Sequence, residues 1–153
     1  MFDAYLTDKT VPETDPGVTA LYGRITIESF SETFISSLVC WNTGTYYKQW
    51  CDALSRVERG EPAAIITSYV EPGLASHLTW WPLYPQGDIV YVPNHMLFYE
   101  QLQKPFSIRD PWAVLRVRRT GDSEGRQISE WVTDVASIRE CLIRTEGRLR
   151  ELD

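Results

Sequence analysis

The chain has 153 residues, of which 43% are hydrophobic, 12% aromatic and 24% charged. This length and composition predict one globular domain, spanning 1–153, that buries its own core; they exclude a disordered tail, and no apolar run nears the roughly 20 residues that cross a bilayer. With 21 acids against 15 bases, the net charge of −6 disfavours a protein whose affinity comes from neutralising phosphates.

The charge is unevenly spread. Residues 1–103 hold 12 acids and 5 bases, whereas 104–153 hold 9 acids and 10 bases. No Lys or Arg lies between Gly60 and Gln103, while Glu61, Glu71, Asp88 and Glu100 fall inside that stretch. Such an acidic body suits a basic partner, and equally suits simple solubility. The three cysteines, Cys40, Cys51 and Cys141, are odd in number and fit no metal-ligand spacing. Together with an N-terminus lacking a basic region and an apolar stretch, they predict a cytoplasmic protein with reduced thiols, no metal and no cofactor.

Residues 1–20 read as an irregular lead-in, with Pro12, Asp15, Pro16 and Gly17 punctuating the run from Asp8 to Gly17. Two strands are predicted around Tyr22–Glu28 and Thr33–Trp41, with a turn at Ser29-Phe30-Ser31. A helix follows, capped by Asn42 or Thr43. Tyr47, Trp50, Leu54 and Val57 recur at steps of three and four on one face, and Gly60 suits its end. The middle predicts strands at Ala63–Val70, Ser76–Tyr84 and Asp88–Val92, the last two joined by Pro85-Gln86-Gly87, with a further short strand at Met96–Tyr99. Pro82 and Pro93 require that their positions face away from any ladder. After a loop at Gln101–Trp112, a second hairpin is predicted from Val114–Thr120 and Gln127–Thr133. A last helix starts near Thr133 or Asp134, with Val135, Ile138, Leu142 and Leu149 as its apolar stripe and Gly147 ending its tight part. Hairpins without a βαβ pattern give an α+β fold: an antiparallel sheet with two main helices.

Chemistry-bearing motifs are sparse. The chain has no Gly-rich phosphate loop, no G-x-S-x-G, no H-E-x-x-H and no Cys-x-x-Cys pair. Opposing Tyr84 to Asp88 across the predicted turn would bring His77 against His95, a pair of imidazoles able to act as acid and base in RNA cleavage, but Pro93 is expected to break the ladder before that register is reached. Arg109, Arg116, Arg118 and Arg119 form a local basic cluster, with Arg116 and Arg118 on one face of a predicted strand. It reads either as a phosphate-binding patch or as a solvated face paired with Asp122, Glu124 and Glu130. Six tryptophans and eight tyrosines supply core and interface anchors. Trp80 and Trp81 point to opposite faces, so only one needs burial against the helices. An acidic, aromatic-rich domain without a catalytic constellation fits a protein-binding module rather than an enzyme.

Tyr46-Tyr47-Lys48-Gln49-Trp50 with Ala53-Leu54, then Ala64 to Tyr69 with Glu71-Pro72, resemble blocks of the contact-dependent growth inhibition immunity proteins. The resemblance continues through Trp80-Trp81-Pro82-Leu83-Tyr84, Gly87 to Asn94 and Leu97-Phe98, and closes with Gly125 to Trp131 leading to Val135 and Ile138. It implies an antiparallel sheet with helices, similar to Whirly-type single-stranded nucleic-acid-binding domains. It also implies a cytoplasmic, non-enzymatic inhibitor. Such a protein binds the toxic C-terminal domain of a neighbouring secreted protein one to one, a nuclease cutting ribosomal RNA in the branch it most resembles. An acidic inhibitor would cover the basic cleft of such a nuclease. Carboxylates placed near loops or strand ends make Glu71, Asp88, Glu100, Asp122 and Glu124 the expected toxin contacts, while Trp50, Leu54 and Trp131 hold sheet to helices. The alternative is a single-stranded nucleic-acid-binding module using the Arg116 and Arg118 face with nearby aromatics.

Overall fold

A computed structural model describes residues 1–12, 19–119 and 129–152. Among them the chain order is β1 (Phe2–Thr10), β2 (Ala20–Ile27), β3 (Phe30–Ser37), α1 (Thr43–Glu58), β4 (Ala63–Ser68), β5 (His77–Gln86), β6 (Ile89–Pro93), β7 (His95–Phe98), β8 (Glu130–Asp134) and α2 (Val135–Glu151). Strands β1-β2-β3 form one antiparallel sheet. A second runs β4-β5-β6-β8, with β7 paired to β5. The α+β class with two helices is therefore as the sequence predicts.

The N-terminal stretch departs from the expected lead-in, because Phe2–Thr10 is a strand. Phe2, Ala4 and Leu6 face inward and pair with Ile27, Ile25 and Gly23. Residues 13–18 of the lead-in lie outside the described residues. The β2–β3 turn is Glu28-Ser29, one residue earlier than expected. Glu28 sits in the left-handed region at φ 55, a position costing a side-chain-bearing residue roughly 1 kcal/mol. Its carboxylate compensates by accepting from the Met1 ammonium at 2.6 Å and from Thr133 Oγ1 at 2.8 Å.

Both helices seal strand edges. In α1, Asn42 caps the N-terminus by accepting from Thr45 N, and Tyr46, Tyr47, Trp50, Ala53, Leu54 and Val57 are buried. Gln49 acts as a surrogate strand residue: its Nε2 donates to Ala64 O and its Oε1 accepts from Ile66 N, both at 2.9 Å. Trp50 Nε1 adds a bond to Ile66 O at 2.7 Å. The free edge of β1 is closed likewise, with Arg144 donating to Phe2 O, Arg148 to Ala4 O, and Leu6 N donating to Tyr47 Oη. Exposed strand edges invite pairing with other chains, and these side chains remove the opportunity. Burial opposes a charge on Asp3, yet hydrogen bonds and charge from Arg148, then Arg144, outweigh it and hold the carboxyl below its ordinary range. Asp134 caps α2, which runs on through Gly147 instead of ending there.

Three expectations in the second sheet need correction. The β5–β6 turn is Gly87-Asp88, with Gly87 at φ 62, not Pro85-Gln86-Gly87. A glycine with positive φ first in a two-residue turn matches the twist of the flanking strands. The resulting register pairs His77 with Phe98 and Trp80 with His95, so the two histidines do not face each other. Of the predicted Val114–Thr120 strand, the described residues 114–119 form none: Pro111–Val114 is a 3-10 turn and 115–119 form no ladder. Instead β8 pairs with β6, Trp131 opposite Val92; residues 120–128 lie outside the described set. Finally, Trp80 and Trp81 are both buried, at 1% and 2% exposure. Trp81 packs toward Trp131, while Trp80 is covered by Phe106 of the 99–119 segment, which straps the outer face.

Candidate protein-interaction site

The base-free stretch from Gly60 to Gln103 builds β4, β5, β6 and β7, and its four carboxylates, Glu61, Glu71, Asp88 and Glu100, lie in the loops and turns between and beside these strands. Glu71 opens the loop leading into β5, and Glu100 sits in the 3-10 turn Tyr99–Gln101 after β7. Tyr99 N donates to Ser76 O at 3.0 Å and Leu74 N to Glu71 O at 3.1 Å, which ties loop and turn together. Both carboxylates thus stand, exposed, at the end of the sheet where β5 begins. Asp88, also exposed, occupies the turn at the other end. Ten strand residues separate the two ends, or about 30 Å. The sequence-derived set is therefore divided between two places, and Asp122 and Glu124 lie outside the described residues.

Apolar side chains flank the Glu71–Glu100 end. Leu74 is 64% exposed, Met96 45% and Phe98 37%. Met96 and Phe98 share one face of β7, while Leu97 between them points into the core. Charge and loop position in the sequence point only to the carboxylates. The signal for these neighbours was the alternation 96, 97, 98 beside a loop bearing Leu74.

The remaining singled-out residues fall elsewhere. Trp50 and Leu54 are buried; Trp131 is half-buried, stacked on Phe30 with ring centroids 4.2 Å apart. Arg118 is engaged by Glu130 through two hydrogen bonds of 2.9 and 2.7 Å and lies 3.6 Å over the Tyr91 ring. This pairing raises its pKa and removes it from a nucleic-acid face, and Arg116 shares no strand with it. Arg109, Arg116 and Arg119 are exposed. His95 Nδ1 accepts from Trp80 Nε1 at 2.9 Å, and burial, helped by the Arg116 charge, holds its pKa below the ordinary histidine value. Burial pushes the Cys51 and Cys141 thiols up to about 11, so neither is a thiolate at neutral pH. Among the described residues no cluster of His, Cys, Asp and Glu is arranged to hold a metal ion, and no helix is long and apolar enough to cross a membrane.

This architecture has known counterparts. Residues 36–141 match the family model described as the CdiI N-terminal domain. The chain is 30% identical over 115 residues to a protein named immunity protein CdiI from Enterobacter cloacae subsp. cloacae, covering 74% of this chain and 79% of that protein. It also superposes on a solved chain of a CdiA-CT/CdiI toxin and immunity complex from Enterobacter cloacae with a TM-score of 0.84 and 26% identity. That likeness covers 96% of this chain and 99% of the other.

Proposed function

We propose, since the chain belongs to the CdiI family of immunity proteins, that it binds the toxic C-terminal domain of a cognate CdiA-type effector one to one in the cytoplasm and neutralises it. The observation that carries this reading is the likeness over 96% of the chain to a structure of a toxin and immunity complex. The toxin on this reading is a basic nuclease acting on ribosomal RNA, and the inhibitor works by occlusion, without chemistry of its own. A basic cleft attracts an acidic body, which speeds encounter.

Glu71, Asp88, Glu100, Asp122 and Glu124 are the proposed contacts. Glu71 and Glu100 form the centre, because exposed Leu74, Met96 and Phe98 stand beside them. Apolar anchors desolvated within a charged rim are the usual arrangement of a binding hot spot. Co-expression with the toxin domain encoded beside this gene tests the reading: growth is restored if it holds. Persistent killing by a demonstrably active toxin, with the immunity candidate soluble and abundant, contradicts it.

A further inference from the structure

One register governs β5 against β6 and β7: Tyr84 faces Tyr91, and Trp80 faces His95. The same register sets Pro82 against Pro93, and the pairing stops before it reaches either. Neither proline has an N–H to give, so the ladder cannot close between them. On its other edge β6 pairs with β8 throughout, from Ile89 opposite Asp134 to Pro93 opposite Glu130, so only the β5 side is open at this break. The outer face opens there into a cavity of about 290 Å³, walled by the two prolines, Asn94 and His95 and bordered by the Leu115–Val117 segment.

We propose that this cavity is an oxyanion site, receiving a carboxylate or phosphate group between His95, Asn94 and Arg116. Acids outnumber bases in this chain by 21 to 15, yet none of the cavity's described lining residues is Asp or Glu, and Arg116, Arg119 and His95 are among them. The imidazole is set as a donor. Trp80 Nε1 donates to its Nδ1 at 2.9 Å, which leaves the hydrogen of the neutral ring on Nε2. Burial, with Arg116 nearby, lowers the His95 pKa and so favours that neutral ring. The rim is fixed by Tyr84, whose hydroxyl donates to Arg116 O at 2.7 Å. Burial raises the Tyr84 pKa to about 12, so this donor persists at physiological pH. Arg118 is committed to Glu130, but Arg116 is exposed at the mouth. Guanidinium, amide and imidazole N–H groups together match the acceptor-only surface of an oxyanion.

The test is an NMR titration of the whole protein at constant ionic strength, with inorganic phosphate and, separately, acetate replacing chloride. The chain has only two histidines, so His95 and His77 serve as site reporter and internal control. The wild type is expected to show a saturable shift at His95 with His77 unmoved, and Arg116→Gln to weaken binding by about tenfold or more, the loss of a charged hydrogen-bonding partner. The variant keeps its fold, because the backbone carbonyl and not the guanidinium holds Tyr84. Stronger binding of phosphate assigns a phosphate-ester ligand and stronger binding of acetate a carboxylate; either supports the site. Absence of saturation with both anions, equal binding by Arg116→Gln, or parallel shifts at His77 overturns it.

Discussion

Replacing Glu71 and Glu100 together with lysine reverses the charge at one end of the second sheet and leaves the rest of the surface unchanged. A carboxylate about 4 Å from a basic group in water-like surroundings gains about 1 kcal/mol, of which roughly 0.6 survives a Debye length of about 8 Å at physiological ionic strength. Reversal removes that attraction and installs an equal repulsion, so each site costs about 1.2 kcal/mol and the pair about 2.4. The affinity for the toxin domain should fall roughly fifty-fold. Asp88→Lys provides the internal comparison. Asp88 is a proposed contact at the far end of β5, about 30 Å along the strand from the centre. As a rim charge that stays solvated in the complex, it should on reversal weaken binding less than about threefold. Stopped-flow association between 0.05 and 0.5 M salt is the appropriate assay, because rim charges act mainly on the on-rate and their effect fades with salt. Unchanged association of the double variant, or a larger loss from Asp88→Lys, refutes the assignment of this end as the centre of the contact.

Three further outcomes follow from the same geometry. Leu74→Ser with Phe98→Ser should lower stability by no more than about 2 kcal/mol, since Leu74 is largely exposed and Phe98 covers only part of its ring, against His77. The pair should nonetheless lower toxin affinity about tenfold, read by isothermal titration calorimetry, if they anchor the interface. Gln49→Ala strips Ala64 O and Ile66 N of their edge partners and should cost about 2–3 kcal/mol in urea unfolding. Asp3→Asn should destabilise by about 3 kcal/mol at pH 7, because Arg144 and Arg148 lose a largely buried counter-charge. The folded pKa of Asp3 is depressed, so the wild-type advantage is complete above about pH 4. It should disappear only as pH falls through the lowered value. A wild-type advantage that grows on acidification would contradict this.

What could be read from the sequence were the features set by neighbours along the chain. The Tyr47, Trp50, Leu54 and Val57 stripe, the Asn42 cap and the Gly60 stop define α1 within sixteen residues. Asp134 does the same for the start of α2. Features set by distant partners were not legible. Strand β1 looks irregular because small Ala4 and polar Asp3 dilute its alternation; its edge is completed by Arg144 and Arg148, more than 140 residues away. The Val114–Thr133 hairpin followed good local turn chemistry, but β8 pairs instead with β6. In the candidate site, each carboxylate was recognisable as a loop residue. That β5 would carry Glu71 and Glu100 at one end and Asp88 at the other depends on sheet order, which no spacing between these residues reveals. The proline break was visible as Pro82 and Pro93 separately. Only the register shows that they oppose each other.

The most direct test of the immunity assignment is calorimetric titration of this protein with its cognate toxin domain, carrying an inactivating substitution so that it can be purified. A single transition at one-to-one stoichiometry with nanomolar or tighter affinity is expected. A correctly folded toxin domain that gives no binding heat, and does not co-elute with this protein on a sizing column, would contradict it.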